Sequence, residues 1–247
     1  MIHCKLDWIK SKPIAHRGLH GNEIPENSVA AFENALTHNL PIELDVQLTS
    51  DKKIIVFHDD SFLRLTGVDK YVNLSSWDSI KEYRINHTSQ TIPLLSDVLD
   101  LVNGKVPLLI ETKNFYRPNA LEENLVDLLK SYRGEFAVQS FNPLAVRWLK
   151  NNAPEIMRGQ ISARFREMPV PLHYKYILRN LTLNFTAKPH FINYNIDDLP
   201  YLPVELYRNH GLPILSWTVQ TKAQLLKARE LCDNFVFEKL SPEDIVK

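Results

Sequence analysis

Long hydrophobic runs and an apolar leader are both missing from this sequence. No stretch approaches the roughly 20 consecutive apolar residues that an α-helix needs to cross a bilayer. The first eight residues, Met1 to Trp8, are too polar for the hydrophobic region of a secretory signal peptide. We therefore expect a cytoplasmic protein that does not insert stably into a membrane.

An excess of charge of either sign and paired cysteines are missing as well. The chain has 29 basic and 29 acidic residues, so no basic surplus is present to neutralise the phosphates of a nucleic acid. Cys4 and Cys232 show neither paired spacing nor neighbouring histidines, and this excludes a recognisable zinc motif or disulfide framework. We expect two free thiols in a reducing compartment. The equal number of basic and acidic residues suits a small-molecule enzyme, but it suits any other globular domain equally well. The composition leaves the oligomeric state open.

Short apolar strands alternate with helical patterns along the 247 residues, without a linker or low-complexity segment. The strand candidates are residues 13–17, 42–48, 54–58, 107–113, 136–141, 157–162, 190–195, 214–219 and 234–238. The helix candidates are residues 27–38, 94–102, 121–131, 143–151, 199–210 and 223–231. This alternation predicts parallel pairing with right-handed crossovers, and the length favours a single TIM-type (β/α)8 barrel domain, residues 1–247, over an open doubly wound sheet.

An eight-stranded barrel needs one strand fewer than the nine candidates. Only five residues, 49–53, separate the second and third candidates, which predicts an antiparallel hairpin rather than a parallel crossover. The hairpin returns His58 to the neighbourhood of Glu43 and Asp45. Residues 60–93, which lack a clean barrel period, are predicted to form a small inserted lobe with a short helix near residues 77–83. Insertions of this kind commonly shape the substrate pocket of a barrel.

Polar residues cluster where three of the predicted barrel strands end. His16 and Arg17 follow the first strand, and a guanidinium is well suited to phosphate oxygens. Glu43 and Asp45 share one face of the second strand because side chains alternate along a strand. Two buried carboxylates repel each other unless a proton or a cation lies between them, and hard divalent ions bind such oxygens. A solvated strand face is the alternative interpretation.

Two further elements extend this cluster. His58, at the end of the hairpin, is a candidate acid or base once it converges on the acidic pair. Glu111 ends the strand at residues 107–113 and can complete a three-carboxylate metal site, and Lys113 on the same face can balance charge and hold phosphate. Taken singly, the histidine and the Glu–Lys pair are also compatible with solvated surface positions.

In the order and spacing of its motifs, the chain resembles the glycerophosphodiester phosphodiesterase family over nearly its whole length. The motifs are His16-Arg17-Gly18, Pro25-Glu26-Asn27-Ser28, Glu43-x-Asp45-Val46 with Thr49 and Asp51, Glu111-x-Lys113, Ser140-Phe141 and Trp217-Thr218-Val219. Ile55-Val56-Phe57-His58-Asp59 matches the family's Val-x-x-His-Asp motif loosely. The chain departs from the family pattern at Thr112, at the Lys52-Lys53 turn, at Gln220 and in the closing segment, residues 234–238. The departures on the last strand and the pocket rim concern substrate preference more than reaction type.

The resemblance implies a function and a set of roles. Glu43, Asp45 and Glu111 would bind Mg²⁺ or Ca²⁺. His16 and His58 would act as acid and base, and Arg17 would bind phosphate and share in catalysis. Lys113, Phe141 and Trp217 would contact the substrate, although the two aromatic side chains fit a core or rim role equally well. The reaction would release glycerol 3-phosphate and an alcohol from a small glycerophosphodiester.

Two other functions stay open at this point. A phospholipase of the sphingomyelinase D type shares the barrel and the site chemistry, and would reach lipid through the lobe or residues 165–176. A barrel that binds a phosphorylated metabolite without turnover would use the same cations. At the first helix, Asn27 is predicted as the N-cap, and Glu26 is assigned no catalytic role.

Overall fold

The structure is a computed structural model that describes residues 7–114, 118–166 and 171–246. Its strands are β1 (Ile14–Ala15), β2 (Ile42–Leu48), β3 (Ile54–Val56), β4 (Leu108–Thr112), β5 (Phe136–Ser140), β6 (Arg158–Ser162), β7 (Phe191–Asn195), β8 (Ile214–Val219) and β9 (Asn234–Phe237). Its α-helices are α1 (Val29–Thr37), α2 (Leu63–Thr66), α3 (Trp77–Ile80), α4 (Leu95–Val102), α5 (Ala120–Leu129), α6 (Pro143–Asn152), α7 (Leu172–Arg179), α8 (Asn184–Ala187), α9 (Leu202–Asn209), α10 (Lys222–Leu231) and α11 (Pro242–Val246).

Eight of these strands close into a parallel barrel. The sheet runs β1-β9-β8-β7-β6-β5-β4-β2, and β1 also pairs with β2, which joins the two ends. The closing register places Ala15 opposite Ile42 on β2 and opposite Phe237 on β9. Helices lie between most successive strands, as right-handed βα crossovers require. The predicted TIM-type barrel is confirmed.

The remaining strand, β3, forms the predicted hairpin with β2. Val46 lies opposite Val56 and Leu48 opposite Ile54, in antiparallel register. The backbone N–H of Phe57 donates to the carbonyl of Asp45 at 3.0 Å, so the returning arm reaches the level of the acidic residues. The strand ends at Val56, so His58 lies just beyond it. The predicted range, residues 54–58, had placed His58 within the strand.

The segment after the hairpin has a small hydrophobic cluster of its own. Phe57 and Phe62 are fully buried in it, with ring centroids 5.2 Å apart. The cluster is separate from the main core, and its buried members are Ile55, Phe57, Phe62, Leu65, Val72, Ile80, Ile85 and Ile92. All of these residues except Ile55, which belongs to β3, come from the segment between β3 and α4. The segment therefore forms a lobe beside the barrel, and α3 is the short helix expected there.

The N-cap of helix α1 lies one residue later than the sequence suggested. The Ser28 hydroxyl accepts a hydrogen bond from the backbone N–H of Ala31 at 3.2 Å, which makes Ser28 the N-cap. The prediction of Asn27 as the cap is wrong. Asn27 has a left-handed backbone (φ 53°), and its side chain bonds to Asp45 instead. The Pro-Glu-Asn-Ser segment offers two residues that can cap a helix, and a tertiary contact selects between them.

Helices α7 and α8, between β6 and β7, were not predicted from the sequence. None of the α7 side chains is buried, so this helix adds no residue to the core. Leu172 is 84% exposed, and Tyr174 and Tyr176 are also exposed. Within the described ranges, no helix has both the length and the apolar character needed to span a bilayer.

Candidate active site

Three carboxylates meet inside the barrel where β2 and β4 run side by side. Asp45 lies opposite Glu111 in the parallel register, and Glu43 is two residues earlier on the same face of β2. Glu43 and Asp45 are each 1% exposed and Glu111 is 7% exposed. Each side chain offers an oxygen, and these oxygens all lie within 4.8 Å of one another. The structure thus brings together the three residues that the sequence assigned to a metal.

Burial and the charges of neighbouring side chains shift the pKa values of these three carboxyl groups. Burial, together with the charges of Asp45 and Glu111, raises the pKa of Glu43 well above its ordinary value. Burial also raises the pKa of Glu111. For Asp45 burial acts in the same direction, but the positive charges of Lys113 and Arg17 hold its pKa far below its usual range. An all-oxygen donor set with surplus negative charge, shielded from water, fits a hard divalent cation.

Two cationic side chains border the triad. Lys113 Nζ is 2.6 Å from Glu111 Oε1 and 3.2 Å from Asp45 Oδ1. Arg17 Nε is 3.2 Å from Asp45 Oδ2, and the Arg17 backbone N–H donates to Glu43 Oε2 at 3.0 Å. Burial would lower the pKa of Lys113, but Asp45 and Glu111 raise it, so the ammonium stays charged. Both cations are placed to meet an anionic ligand at the triad.

His16, which follows β1, has its ring held by the end of β9. Its Nδ1 is 2.6 Å from Glu238 Oε2, and His20 Nε2 is 3.3 Å from the same oxygen. Gln220 Nε2 donates to the other carboxylate oxygen, Glu238 Oε1, at 2.7 Å. Burial lowers the pKa of His16, although its hydrogen bond to Glu238 opposes that shift. The imidazole is therefore fixed in orientation, and Nδ1 is the atom that faces Glu238.

His58 is held by a separate chain of ion pairs. Its Nδ1 is 2.6 Å from Asp59 Oδ1, and Arg64 binds Asp59 through two nitrogens at 2.5 and 3.0 Å. Arg64 also donates to both oxygens of Glu26, at 2.7 and 3.1 Å. Arg17 Nη1 donates to Glu26 Oε1 at 2.6 Å. Glu26, which the sequence left without a role, thus joins the Arg17 side of the site to the His58 side.

The first loop of the barrel is held against the triad by Asn27 and Gly18. The Asn27 side chain donates to Asp45 Oδ2 at 2.9 Å and accepts from the Asp45 backbone N–H at 3.3 Å. Gly18 has φ of +78°, and a Cβ there would lie 2.8 Å from the backbone of Ala31. This contact gives the glycine after His16-Arg17 a steric reason: only glycine lets the loop turn so close to α1.

Aromatic side chains surround the opposite side of the site. Trp217 lines one pocket with His16, Glu43 and Glu111, and its Nε1 donates to the Ser162 carbonyl at 3.3 Å. Phe141 packs edge-on against the Trp217 ring, with centroids 5.2 Å apart. Phe165 in turn packs against Phe141 at 6.2 Å. Of the two aromatic residues predicted to contact substrate, Trp217 lies at the pocket and Phe141 lies behind it.

Sequence reasoning missed several residues of this site. They are His20, Glu26, Asn27, Asp59, Arg64 and Glu238. Glu238 could have been found, because it directly follows the last barrel strand and the C-terminal ends of barrel strands gather at one mouth. Nothing in the local sequence around Arg64 indicates that it reaches Glu26, which is 38 positions away.

Comparisons with known proteins agree with this architecture. The sequence profile of the Glycerophosphoryl diester phosphodiesterase family matches residues 16–235. A glycerophosphodiester phosphodiesterase of Caldanaerobacter subterraneus is 31% identical over 228 residues, which cover 88% of this chain and 89% of that protein. The Bacillus subtilis protein YhdW is 31% identical over 231 residues, which cover 88% of this chain and 90% of that protein.

A solved structure gives the same result for the fold. An Oleispira antarctica phosphodiesterase, in complex with the product sn-glycerol-3-phosphate, superposes with a TM-score of 0.77 over 95% of each chain, at 23% identity. The chain belongs to the glycerophosphoryl diester phosphodiesterase family. The predicted enzyme class, a phosphoric diester hydrolase, is confirmed at the level of the family.

Proposed function

We propose that the protein hydrolyses a small glycerophosphodiester to glycerol 3-phosphate and an alcohol, with the help of Mg²⁺ or Ca²⁺. The observation that carries this proposal is the convergence of three buried carboxylates, their oxygens within 4.8 Å of one another. Two of them, Glu43 and Glu111, line the same pocket as His16. Such a site combines cation binding with a proton carrier, as phosphodiester cleavage requires.

The cation is assigned to Glu43, Asp45 and Glu111. A bound divalent ion would supply Lewis-acid stabilisation to the non-bridging phosphate oxygens, where charge builds up during the reaction. Arg17 and Lys113 are assigned to the same anionic group, Arg17 through its planar fork and Lys113 as a point charge. Their contacts with Asp45 and Glu111 fix both cations before substrate arrives, which lowers the cost of organising them.

The two histidines carry the protons. One takes the proton of the attacking hydroxyl, which is water or the glycerol 2-hydroxyl, and the other gives a proton to the leaving alcohol. His16 is held through Nδ1 by Glu238 and His58 through Nδ1 by Asp59, so each ring has Nε2 left for the substrate. Either histidine can serve as the base in this arrangement. Attack by the 2-hydroxyl would form a cyclic phosphate that water then opens to the same products.

The comparisons support this proposal by analogy. The Oleispira antarctica protein binds sn-glycerol-3-phosphate as its product, and the relative from Caldanaerobacter subterraneus is named a glycerophosphodiester phosphodiesterase. Trp217 at the pocket wall offers an apolar face for the carbon skeleton of a glycerol, with Phe141 supporting its ring. The leaving alcohol is not specified by these contacts.

The test is a metal-stripping assay on the purified chain. We expect chelator to abolish hydrolysis of glycerophosphocholine, and Mg²⁺ or Ca²⁺ to restore it with release of choline and glycerol 3-phosphate. His16→Ala should still bind glycerol 3-phosphate but should lose about 10²–10⁴-fold in kcat. His38→Ala, which removes an exposed imidazole at the C-cap of α1, serves as control. Full activity after chelation contradicts the assignment of the carboxylates, and equal behaviour of wild type and His16→Ala would favour a barrel that only binds.

A second candidate substrate is a lysophospholipid, and one observation favours it. Helix α7, the first helix after β6, exposes Leu172, Tyr174 and Tyr176. A lysophospholipase D of Rattus norvegicus is 30% identical over 138 residues, which cover 51% of this chain and 43% of that protein. Hydrolysis of lysophosphatidylcholine at a kcat/KM above that of glycerophosphocholine would identify the lipid as the preferred substrate.

A further inference from the structure

Beside the carboxylate triad lies a second cluster with different ligand chemistry. His16, His20 and Glu238 each offer one ligand atom, and these atoms lie within 4.8 Å of one another. Two ring nitrogens approach a single oxygen, Glu238 Oε2, at 2.6 and 3.3 Å. The three side chains are 15%, 16% and 12% exposed, so an ion can reach them from solvent.

Backbone hydrogen bonds position all three donors. His16 and Glu238 follow β1 and β9, which are paired, and the backbone N–H of His16 donates to the Phe237 carbonyl at 2.9 Å. His20 lies in a loop that is fixed on both sides. The Leu19 N–H donates to the Ala31 carbonyl at 3.0 Å, and the Gly21 N–H donates to the Ile24 carbonyl at 2.9 Å.

The carboxylate of the cluster is also oriented from outside. Gln220 Nε2 donates to Glu238 Oε1 at 2.7 Å, which leaves Oε2 directed at the two imidazoles. Lys239 Nζ is 3.6 Å from Oε1 and is 66% exposed, so it approaches the oxygen that the histidines do not use. A partner that hydrogen-bonds the ligating carboxylate is a regular feature of metal sites in proteins.

We propose that His16, His20 and Glu238 form a second metal site, which takes a borderline divalent ion such as Zn²⁺. Two imidazole nitrogens and one carboxylate oxygen are the donor set that zinc accepts, with water in a fourth position. The neighbouring triad offers oxygen alone and suits harder ions. The two sites would therefore sort ions by donor type, even though both border the pocket that His16 lines.

Occupation of this second site would inhibit hydrolysis, a consequence that rests on the function proposed above. A metal bound at His16 Nδ1 leaves the proton on Nε2, and the ring can then no longer accept a proton there. Zn²⁺ bound at these residues would thus remove His16 from proton transfer without touching Glu43, Asp45 or Glu111. His20 is the one member of the cluster that the proposed hydrolysis does not use.

The first experiment measures zinc binding directly. The purified full-length chain, saturated with Mg²⁺, is titrated with Zn²⁺ against a chromophoric chelator. We expect one zinc per chain, retained in Glu43→Gln and weakened at least about 10-fold in His20→Ala. His38→Ala is the matched control, because it also removes one imidazole but lies at the C-cap of α1, outside the cluster. His20→Gln repeats the test with a side chain closer in volume.

The second experiment measures hydrolysis at saturating Mg²⁺ with increasing Zn²⁺. Activity is expressed relative to the zinc-free rate of the same protein, and His20→Ala should need at least about 10-fold more zinc than wild type for half inhibition. If His20→Ala and wild type bind zinc equally, the proposal is overturned, and zinc inhibition then arises at the carboxylate triad. Loss of zinc binding in Glu43→Gln but not in His20→Ala would overturn it as well. The zinc titration tests the second metal site even if the chain does not hydrolyse glycerophosphodiesters.

Discussion

Arg64 donates a hydrogen bond from Nε to Asp59 Oδ2 at 2.5 Å, and this contact ties the inserted lobe to the residue that holds His58. Arg64 lies on α2, within the lobe, whereas Asp59 follows the β2–β3 hairpin. Burial would raise the pKa of Asp59, but its bonds to His58 and Arg64 keep it far below the ordinary value. Asp59 is therefore an ionised acceptor that fixes the His58 tautomer.

Replacing Arg64 by glutamine should lower kcat while the fold is preserved. The change removes the guanidinium that holds both Asp59 and Glu26, so the Asp59 carboxylate is free to turn away from His58. We expect a fall in kcat on the order of 10- to 100-fold with little change in KM, as for other residues that orient a catalytic ligand. Steady-state kinetics with glycerophosphocholine measure kcat and KM separately.

Lys81→Gln provides the control for this variant. Lys81 is a lobe cation whose ammonium pairs only locally with Asp78, at 2.9 Å in an exposed i,i+3 pair, which contributes little to stability. A kcat for Arg64→Gln equal to that of Lys81→Gln would show that the lobe does not position His58.

Replacing Glu43 by glutamine should abolish activity and yet stabilise the metal-free protein at alkaline pH. The pKa of folded Glu43 is raised by burial and by its acidic neighbours, so its contribution to stability is fully present below pH 4.5 and is lost as the pH rises through the folded pKa. Metal-free Glu43→Gln should therefore melt above metal-free wild type at pH 8, by about 2–4 °C for each kcal/mol of relieved repulsion.

This difference should shrink toward pH 4.5, and Mg²⁺ or Ca²⁺ should raise the melting temperature of wild type only. Differential scanning calorimetry with and without chelator makes the comparison. An equal response of both proteins to Mg²⁺ and Ca²⁺ would remove Glu43 from the metal site.

Replacing Ser28 by alanine should cost stability but not activity. The hydroxyl caps α1 by accepting from the Ala31 N–H and donates to the Pro25 carbonyl at 2.6 Å, but it does not contact the site. Loss of an N-cap costs about 1 kcal/mol, which corresponds to about 2–4 °C in the melting temperature of a chain of this size. Ser96→Ala, whose hydroxyl bonds only to exposed Asp97, is the control and should melt with the wild type.

His190 should make the fold sensitive to acid. Burial, with the charge of Arg158, lowers the pKa of His190 from 6.5 to about 4. A histidine whose folded pKa is depressed stabilises the fold above its unfolded pKa, and that contribution is lost as the pH falls from 6.5 toward 4. His190→Asn keeps an acceptor for the Arg158 N–H, which now donates to Nδ1 at 3.1 Å, but cannot take up the proton.

The free energy of unfolding of His190→Asn should therefore fall less than that of wild type between pH 6.5 and pH 4. Urea unfolding at several pH values measures both. Parallel pH dependence in the two proteins would show that His190 is protonated equally in the folded and unfolded states.

Much of the fold could be predicted because its signals are local. The five-residue turn after Leu48 distinguishes a hairpin from a crossover, and the observed antiparallel register of Val46 with Val56 follows from it. The apolar strands repeat at the spacing of βα units, which gives the barrel. Helix α7, which buries none of its eight residues, was not predicted from the sequence.

The candidate site could be predicted where residue type and strand position already restrict the chemistry. Glu43 and Asp45 alternate on one strand, and Glu111 ends a neighbouring one, so their convergence follows from parallel pairing in a barrel. Asn27 shows the limit of this reasoning, because its side chain can cap a helix or bond to Asp45 with similar local geometry. Only the position of β2 against the first loop selects the second option.

The sequence by itself determined the barrel, the hairpin and the residue types that gather at the strand ends, because alternation, turn length and strand order act over a few neighbouring positions. Tertiary structure alone decided which partners hold those residues. Arg64 reaches Glu26 across 38 positions, and Glu238 reaches His16 across 222. Such contacts depend on how the barrel closes and where the lobe packs. The free energy that selects them comes from interactions throughout the core, not from any single segment.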